Sequence, residues 1–170
     1  LFSTKPIAAL AGAYIGITDE ASTAPRLLDV LLRLKYQVQT ATYGPLTTSH
    51  AAFLLIGDQA LRQRMGMPDF PYVYDLGAEW HAWTGLPFVF SRWMVRKDVS
   101  PKDLAVLEEA LYLGLEEGVD ALCERAEPRQ DLVMLPRDIA MYIGGFRYFM
   151  GRLEQRAIDQ FRRYWQQLEG

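Results

Sequence analysis

The sequence predicts an α/β fold with a helical C-terminal part, and three observations carry that reading. Short apolar, β-branched runs alternate with a segment of helical spacing in the first part of the chain. The order strand, helix, strand, strand, short helix, strand is the rhythm of a largely parallel sheet. From Ser100 onward the pattern changes to long stretches of helical period, so the last ~70 residues read as helical.

Taken in order, Leu1-Phe2-Ser3 resembles the end of a strand already under way, as expected of a piece of a longer protein. Ala13 to Thr18 (AYIGIT) is short and β-branched, hence a strand. The cluster Asp19 to Pro25 is rich in turn and cap residues. Leu27, Leu28, Leu31, Leu32 and Leu34 then recur at helical spacing, so a helix runs from Thr23 or Ala24 to Leu34. Pro25 falls in its first turn, where a missing N–H is harmless. Alternation over Tyr36 to Thr42 predicts a second strand, and the continuous apolar run Ala51 to Ile56 predicts a buried third. A short helix over Gln59 to Met65 and a strand over Tyr72 to Tyr74 come next. Asp75 to Trp93 is the most specified stretch: a Trp-rich helical turn, a Thr84-Gly85-Leu86-Pro87 break, then the apolar strand Phe88 to Phe90. Pro101 opens a helix carrying Leu104, Leu107, Leu111, Leu115, Val119 and Leu122 on one face. Pro128, Pro136 and Gly144-Gly145 punctuate the stretch beyond that helix. Leu153, Ala157, Phe161 and Trp165 mark a last helix from Gly151 to Leu168.

Bulk properties narrow the function. A length of 170 residues allows one or two small domains, and 50% hydrophobic with 23% charged residues is ordinary for a soluble protein. A net charge of -3 argues against a nucleic-acid binder, which would show a strong basic excess. No run approaches the ~18 apolar residues of a membrane span, and no signal peptide is visible. The single cysteine, Cys123, excludes an internal disulfide and fits a reducing compartment, so a cytoplasmic protein is expected. It sits among helical apolar positions and reads as a packing residue.

Two places could carry chemistry. Thr18, Ser22 and Thr23 lie between a strand and a helix N-terminus, where free amides and the helix dipole favour an anion. Plain N-capping explains the same residues, and Asp19 and Glu20 would oppose an anion unless they face solvent. Asp58 follows a strand, where α/β proteins bind ligands, and could accept a substrate hydroxyl or act as a base; it could equally cap the next helix. His50 and His81 lack partners at metal spacing, so no metal site is expected. Arg92, if buried, would need an anionic partner. The glutamates at 108, 109, 116 and 117 read as a solvated helix face.

Several segments together carry a family resemblance: the strand entering Thr18, the Ser22-Thr23 helix start, Leu55-Ile56-Gly57-Asp58-Gln59-Ala60-Leu61, Asp75 to Trp80, and Trp83-Thr84-Gly85-Leu86-Pro87-Phe88-Val89-Phe90 with Trp93. Phe146-Arg147-Tyr148 through Phe161 extends it, so the likeness covers essentially the whole chain. It resembles the chorismate dehydratase family of menaquinone biosynthesis by the futalosine route.

The resemblance implies a two-lobed architecture of the periplasmic-binding-protein type II kind, without its N-terminal part. Residues 1–13 would be a crossing strand and hinge, 14–75 an α/β lobe, and 76–170 a returning strand plus C-terminal helices of the other lobe. It implies loss of water from chorismate to give 3-[(1-carboxyvinyl)oxy]benzoate, with no metal or organic cofactor. Thr18, Ser22 and Thr23 would hold a substrate carboxylate, Asp58 would line the cleft as the best catalytic candidate, and Leu86, Pro87 and Phe88 would shape it. The alternatives are the related 1,4-dihydroxy-6-naphthoate synthase and a non-catalytic solute-binding protein. The former would want a different helix start and a catalytic histidine. An incomplete lobe would leave apolar surface exposed, which is compatible with a homodimer or another protein partner.

Overall fold

The computed structural model describes residues 1–18, 23–39, 42–46, 50–125 and 127–169. It divides into two compact units, one of Leu1–Phe90 with Gly151–Gly170 and one of Ser91–Met150.

The first unit is built on a five-stranded sheet of β1 (Phe2–Ser3), β2 (Tyr14–Ile17), β3 (Thr42–Pro45), β4 (Ala52–Leu54) and β5 (Tyr72–Val73), in the order β3-β2-β4-β1-β5. β2 runs parallel to β3 and β4, whereas β1 is antiparallel to β4 and β5. The sheet is therefore mixed and not largely parallel. β1 brings this about: it is antiparallel to β4 on one side and lies beside β5 on the other through Phe2 opposite Val73, with reciprocal bonds from Leu1 N to Tyr74 O and Tyr74 N to Leu1 O.

Strand alternation sorts the residues of β2. Ile15 joins the main core, with Ile17 packed against it. That core also holds Ala52, Leu54 and the leucines of helix α1 (Thr23–Val30). Tyr14, Gly16 and Thr18 share the opposite phase. Gly16 is required there, because a Cβ would come within 2.5 Å of His50 Cδ2. His50 stacks on Tyr14 and meets Phe53 edge-on, and Phe53 packs on Phe70.

The predicted strand over Tyr36 to Thr42 does not form over its described residues 36–39; residues 40 and 41 lie outside the described residues. Helix α1 runs on as a π-helical turn over Leu31–Lys35, with Tyr36 N bonded to Leu31 O at 3.0 Å. Leu31 and Leu32 are buried, so the apolar face of the helix outcompetes the alternation that suggested a strand. Gln37, at φ 54°, then turns the chain ahead of β3.

After helix α2 (Gly57–Arg62) and β5 comes helix α3 (Leu76–Thr84). Asp75 caps it, its carboxylate accepting from Ala78 N at 2.8 Å. Gly85 ends it in the left-handed region at φ 69°. Trp80 is fully buried at the centre of an aromatic ring made by Trp83, Phe88, Phe161 and Tyr164. Phe161 and Tyr164 belong to helix α6 (Arg152–Glu169), which also packs on α1, with Arg26 over the Trp165 ring.

The expected strand over Phe88 to Phe90 is not one. Pro87 offers no N–H, its carbonyl accepts from Trp80 Nε1 at 3.2 Å, and the Phe88 ring is taken up by Trp80 and Phe161.

The second unit holds helices α4 (Pro101–Arg125) and α5 (Pro136–Gly144), packed on each other. Among its described residues the buried apolar side chains are Leu132 and Met134. Arg92 is exposed. No described helix is long and apolar enough to cross a membrane.

Candidate functional site

Parallel pairing puts the carboxyl ends of β2 and β4 at one edge of the sheet, with Ile17 opposite Leu54. Thr18 follows the first strand, and α1 starts five residues later at Thr23. Asp58 follows the second. Thr18 and Asp58 thus follow strands that end at the same edge, the place where α/β sheets bind ligands. Ser22, Asp19 and Glu20 lie outside the described residues.

Thr18 is the most informative of these. It is only 5% exposed, and its Oγ1 has no hydrogen-bond partner among the described residues. A buried hydroxyl without a partner forfeits about 1–3 kcal/mol of solvation, so structures rarely retain one without a reason. Next along the chain, the start of α1 presents backbone donors that no helical carbonyl accepts. Pro25 contributes no donor, and Thr23 is exposed. One hydroxyl and a helix N-terminus are suited to the oxygens of a carboxylate.

Asp58 stands in the first turn of α2 and is exposed, with Ile56 in the N-cap position. It therefore favours α2 through the helix dipole and not as its cap. Gly57 adopts φ 53°, which turns the chain from β4 into α2. Pro87 and Phe88 are placed differently. Both are half-buried, and the contacts that hold them are with α3 and α6. Their observed work is to anchor the helical layer behind the sheet.

Two polar clusters have no signal in the sequence. Glu79 on α3 accepts hydrogen bonds from Lys35 and Tyr36, and Lys35 Nζ also donates to Glu79 O at 3.0 Å. Partial burial works against ionisation of Glu79. The hydrogen bonds from Lys35 and Tyr36 and the Lys35 charge outweigh it and hold the carboxyl below its usual range. Tyr43 on β3 reaches Asp29 of α1 at 3.5 Å; burial, then the Asp29 charge, push its phenol upward. Each partnership spans a sequence separation that no local motif announces. Among the described residues no group of three His, Cys, Asp or Glu is placed to hold a metal.

Comparison with known proteins adds to this geometry. A family model described as menaquinone biosynthesis matches residues 1–167. Among curated proteins, a protein of Thermus thermophilus named chorismate dehydratase is 28% identical over 174 residues, covering 88% of this chain and 61% of its own length. The chain thus spans less than two thirds of that relative.

Proposed function

The chain belongs to the menaquinone-biosynthesis family, and on that premise we propose that it is the larger part of a chorismate dehydratase. The reaction removes one water from chorismate, giving 3-[(1-carboxyvinyl)oxy]benzoate. A ring C–H proton and the ring hydroxyl leave together as water, and the ring becomes aromatic. The observation that carries this reading is the buried Thr18 hydroxyl, which has no partner among the described residues and lies five residues before the start of α1. The name of the Thermus relative adds support.

In this reading Thr18, Ser22, Thr23 and the first amides of α1 hold a carboxylate of the dianionic substrate. Holding it fixes the ring, and aromatisation supplies much of the driving force. Oriented donors and one proton acceptor then suffice. Asp58, at the end of β4, is the candidate acceptor. The wider arrangement is a two-lobed cleft of the periplasmic-binding-protein type, with residues 14–75 forming one wall.

The test is incubation of the protein containing this chain with chorismate, followed by mass spectrometry. Loss of one water with a new aromatic absorbance is the expected result. Tight binding of a small carboxylate without conversion would move the site to solute binding and remove the catalytic role of Asp58.

A further inference from the structure

Two glycines lie opposite each other in the parallel pair of β2 and β3, Gly16 against Gly44. Glycine weakens a strand interior, and it recurs where something must approach the backbone closely. Here two rings do so. A Cβ on Gly16 would come within 2.5 Å of His50 Cδ2 and 2.9 Å of its Nε2, and one on Gly44 would run into the Tyr14 hydroxyl. The rings stack on each other with centroids 4.7 Å apart, and Phe53 of β4 meets the imidazole edge-on. Neither His50 nor Tyr14 belongs to the main core. The imidazole is also tied by a polar contact, with Nε2 3.0 Å from Pro45 O. A carbonyl only accepts, so Nε2 is the protonated nitrogen in this bond. His50 therefore touches three strands: β2 at Gly16, β3 at Pro45 and β4 at Phe53. Pro45 stands opposite Ile17, the last residue of β2, and Thr18 comes next. Thr18 shares the phase of Gly16, a step of about 6–7 Å along a strand. Only six residues join β3 to β4 past β2, where a parallel crossover usually takes a dozen or more, and His50 is one of the six.

We propose that His50 is a positioning residue of the carboxylate site. Its bond to Pro45 O fixes the carboxyl ends of β2 and β3 against each other, and so holds the Thr18 hydroxyl where an oxygen of the ligand meets it. His50 acts through β2 and does not touch the substrate. The inference rests on the carboxylate-binding reading of Thr18 and deepens it. A phenyl ring would fill the space over Gly16 as well as an imidazole does. What the imidazole adds is a donor aimed at the end of β3. Two substitutions separate these parts: Phe keeps the ring and loses the donor, whereas Gln loses the ring and carries an amide donor close to the place of Nε2.

The experiment is calorimetric titration of chorismate into the protein containing this chain, as the parent, His50→Phe and His50→Gln. Each is titrated at a temperature where its melting curve shows it fully folded. His50→Phe should raise the dissociation constant about tenfold, and His50→Gln should bring it back to within about threefold of the parent. Hydrogen exchange on the same proteins without ligand should show amides 16–18 exchanging about tenfold faster in His50→Phe and at the parent's rate in His50→Gln. If His50→Phe does not fold, His50→Asn takes its place, because its amide is too short to reach Pro45 O. Parental affinity in the variant that lacks the bond would overturn the proposal and leave the dehydratase reading standing. So would equal losses in the Phe and Gln variants, which would make the ring a packing element only. A parent that binds no chorismate would overturn the dehydratase reading instead. The exchange rates then decide the role of His50, and equal rates in all the variants would overturn it as well.

Discussion

A single hydroxyl separates a binding role from a structural one at Thr18. If its buried Oγ1, without a partner among the described residues, exists to meet a ligand, Thr18→Val removes a solvation penalty and leaves the shape of the side chain intact. Thermal stability should then be unchanged or raised, while the dissociation constant for chorismate rises about tenfold for the lost hydrogen bond to a charged group. Melting curves beside calorimetric titration would read both signs, and a loss of stability with unchanged affinity would make Thr18 a framework residue. Glu79 gives a second residue-scale prediction. Its folded carboxyl titrates below its usual value of 4.5, so its pairing with Lys35 and Tyr36 stabilises the fold above that pH. The contribution is lost as pH falls through the lowered value. Glu79→Gln should cost about 0.5–1 kcal/mol near neutrality. In denaturant melts the difference from the parent should shrink toward zero on acidification below about pH 4.5.

Among the elements, α3 and α6 form the layer behind the sheet, and one side chain joins them. Trp80 is fully buried and meets rings from both α6 and the segment after α3. Trp80→Ala should destabilise the fold by about 3–5 kcal/mol, with α6 losing amide protection first. The sheet face opposite the main core has its own constraint at Gly16. An added methyl would press into the His50 ring, so Gly16→Ala should cost about 1–3 kcal/mol. A His50→Ala background should return much of that loss. Failure of that rescue in a double-mutant cycle would mean that the strand backbone, and not the ring, sets the limit.

Across the whole molecule, stability should be uneven. The first unit holds the main core, while among the described side chains of Ser91–Met150 the buried apolar ones are Leu132 and Met134. Limited proteolysis of the chain alone should therefore cut within 91–150 before it cuts within β1 to α3. The same contrast separates what was legible in the sequence from what was not. Local periodicity located β2, β4, α1, α4 and α6, because a repeat of 2 or 3.6 reports which face an isolated element buries. Thr18, Thr23 and Asp58 were visible as polar residues between such elements. The shared edge at which β2 and β4 end, ahead of Thr18 and Asp58, was not, because it depends on the parallel register of the two strands. Periodicity failed at Tyr36 to Thr42 and at Phe88 to Phe90, where a segment's state depended on its neighbours. Before the first, the buried Leu31 and Leu32 carried the helix on to Lys35 and Gln37 then turned the chain, and the second gave its ring to Trp80 and Phe161. The sequence by itself thus determined the α/β class, the main helices and the family. The tertiary structure decided the mixed sheet, the burial of the Thr18 hydroxyl and the pairing of Glu79 with Lys35 and Tyr36. Each of these depends on residues distant in the chain, and short-range composition carries no record of such distances.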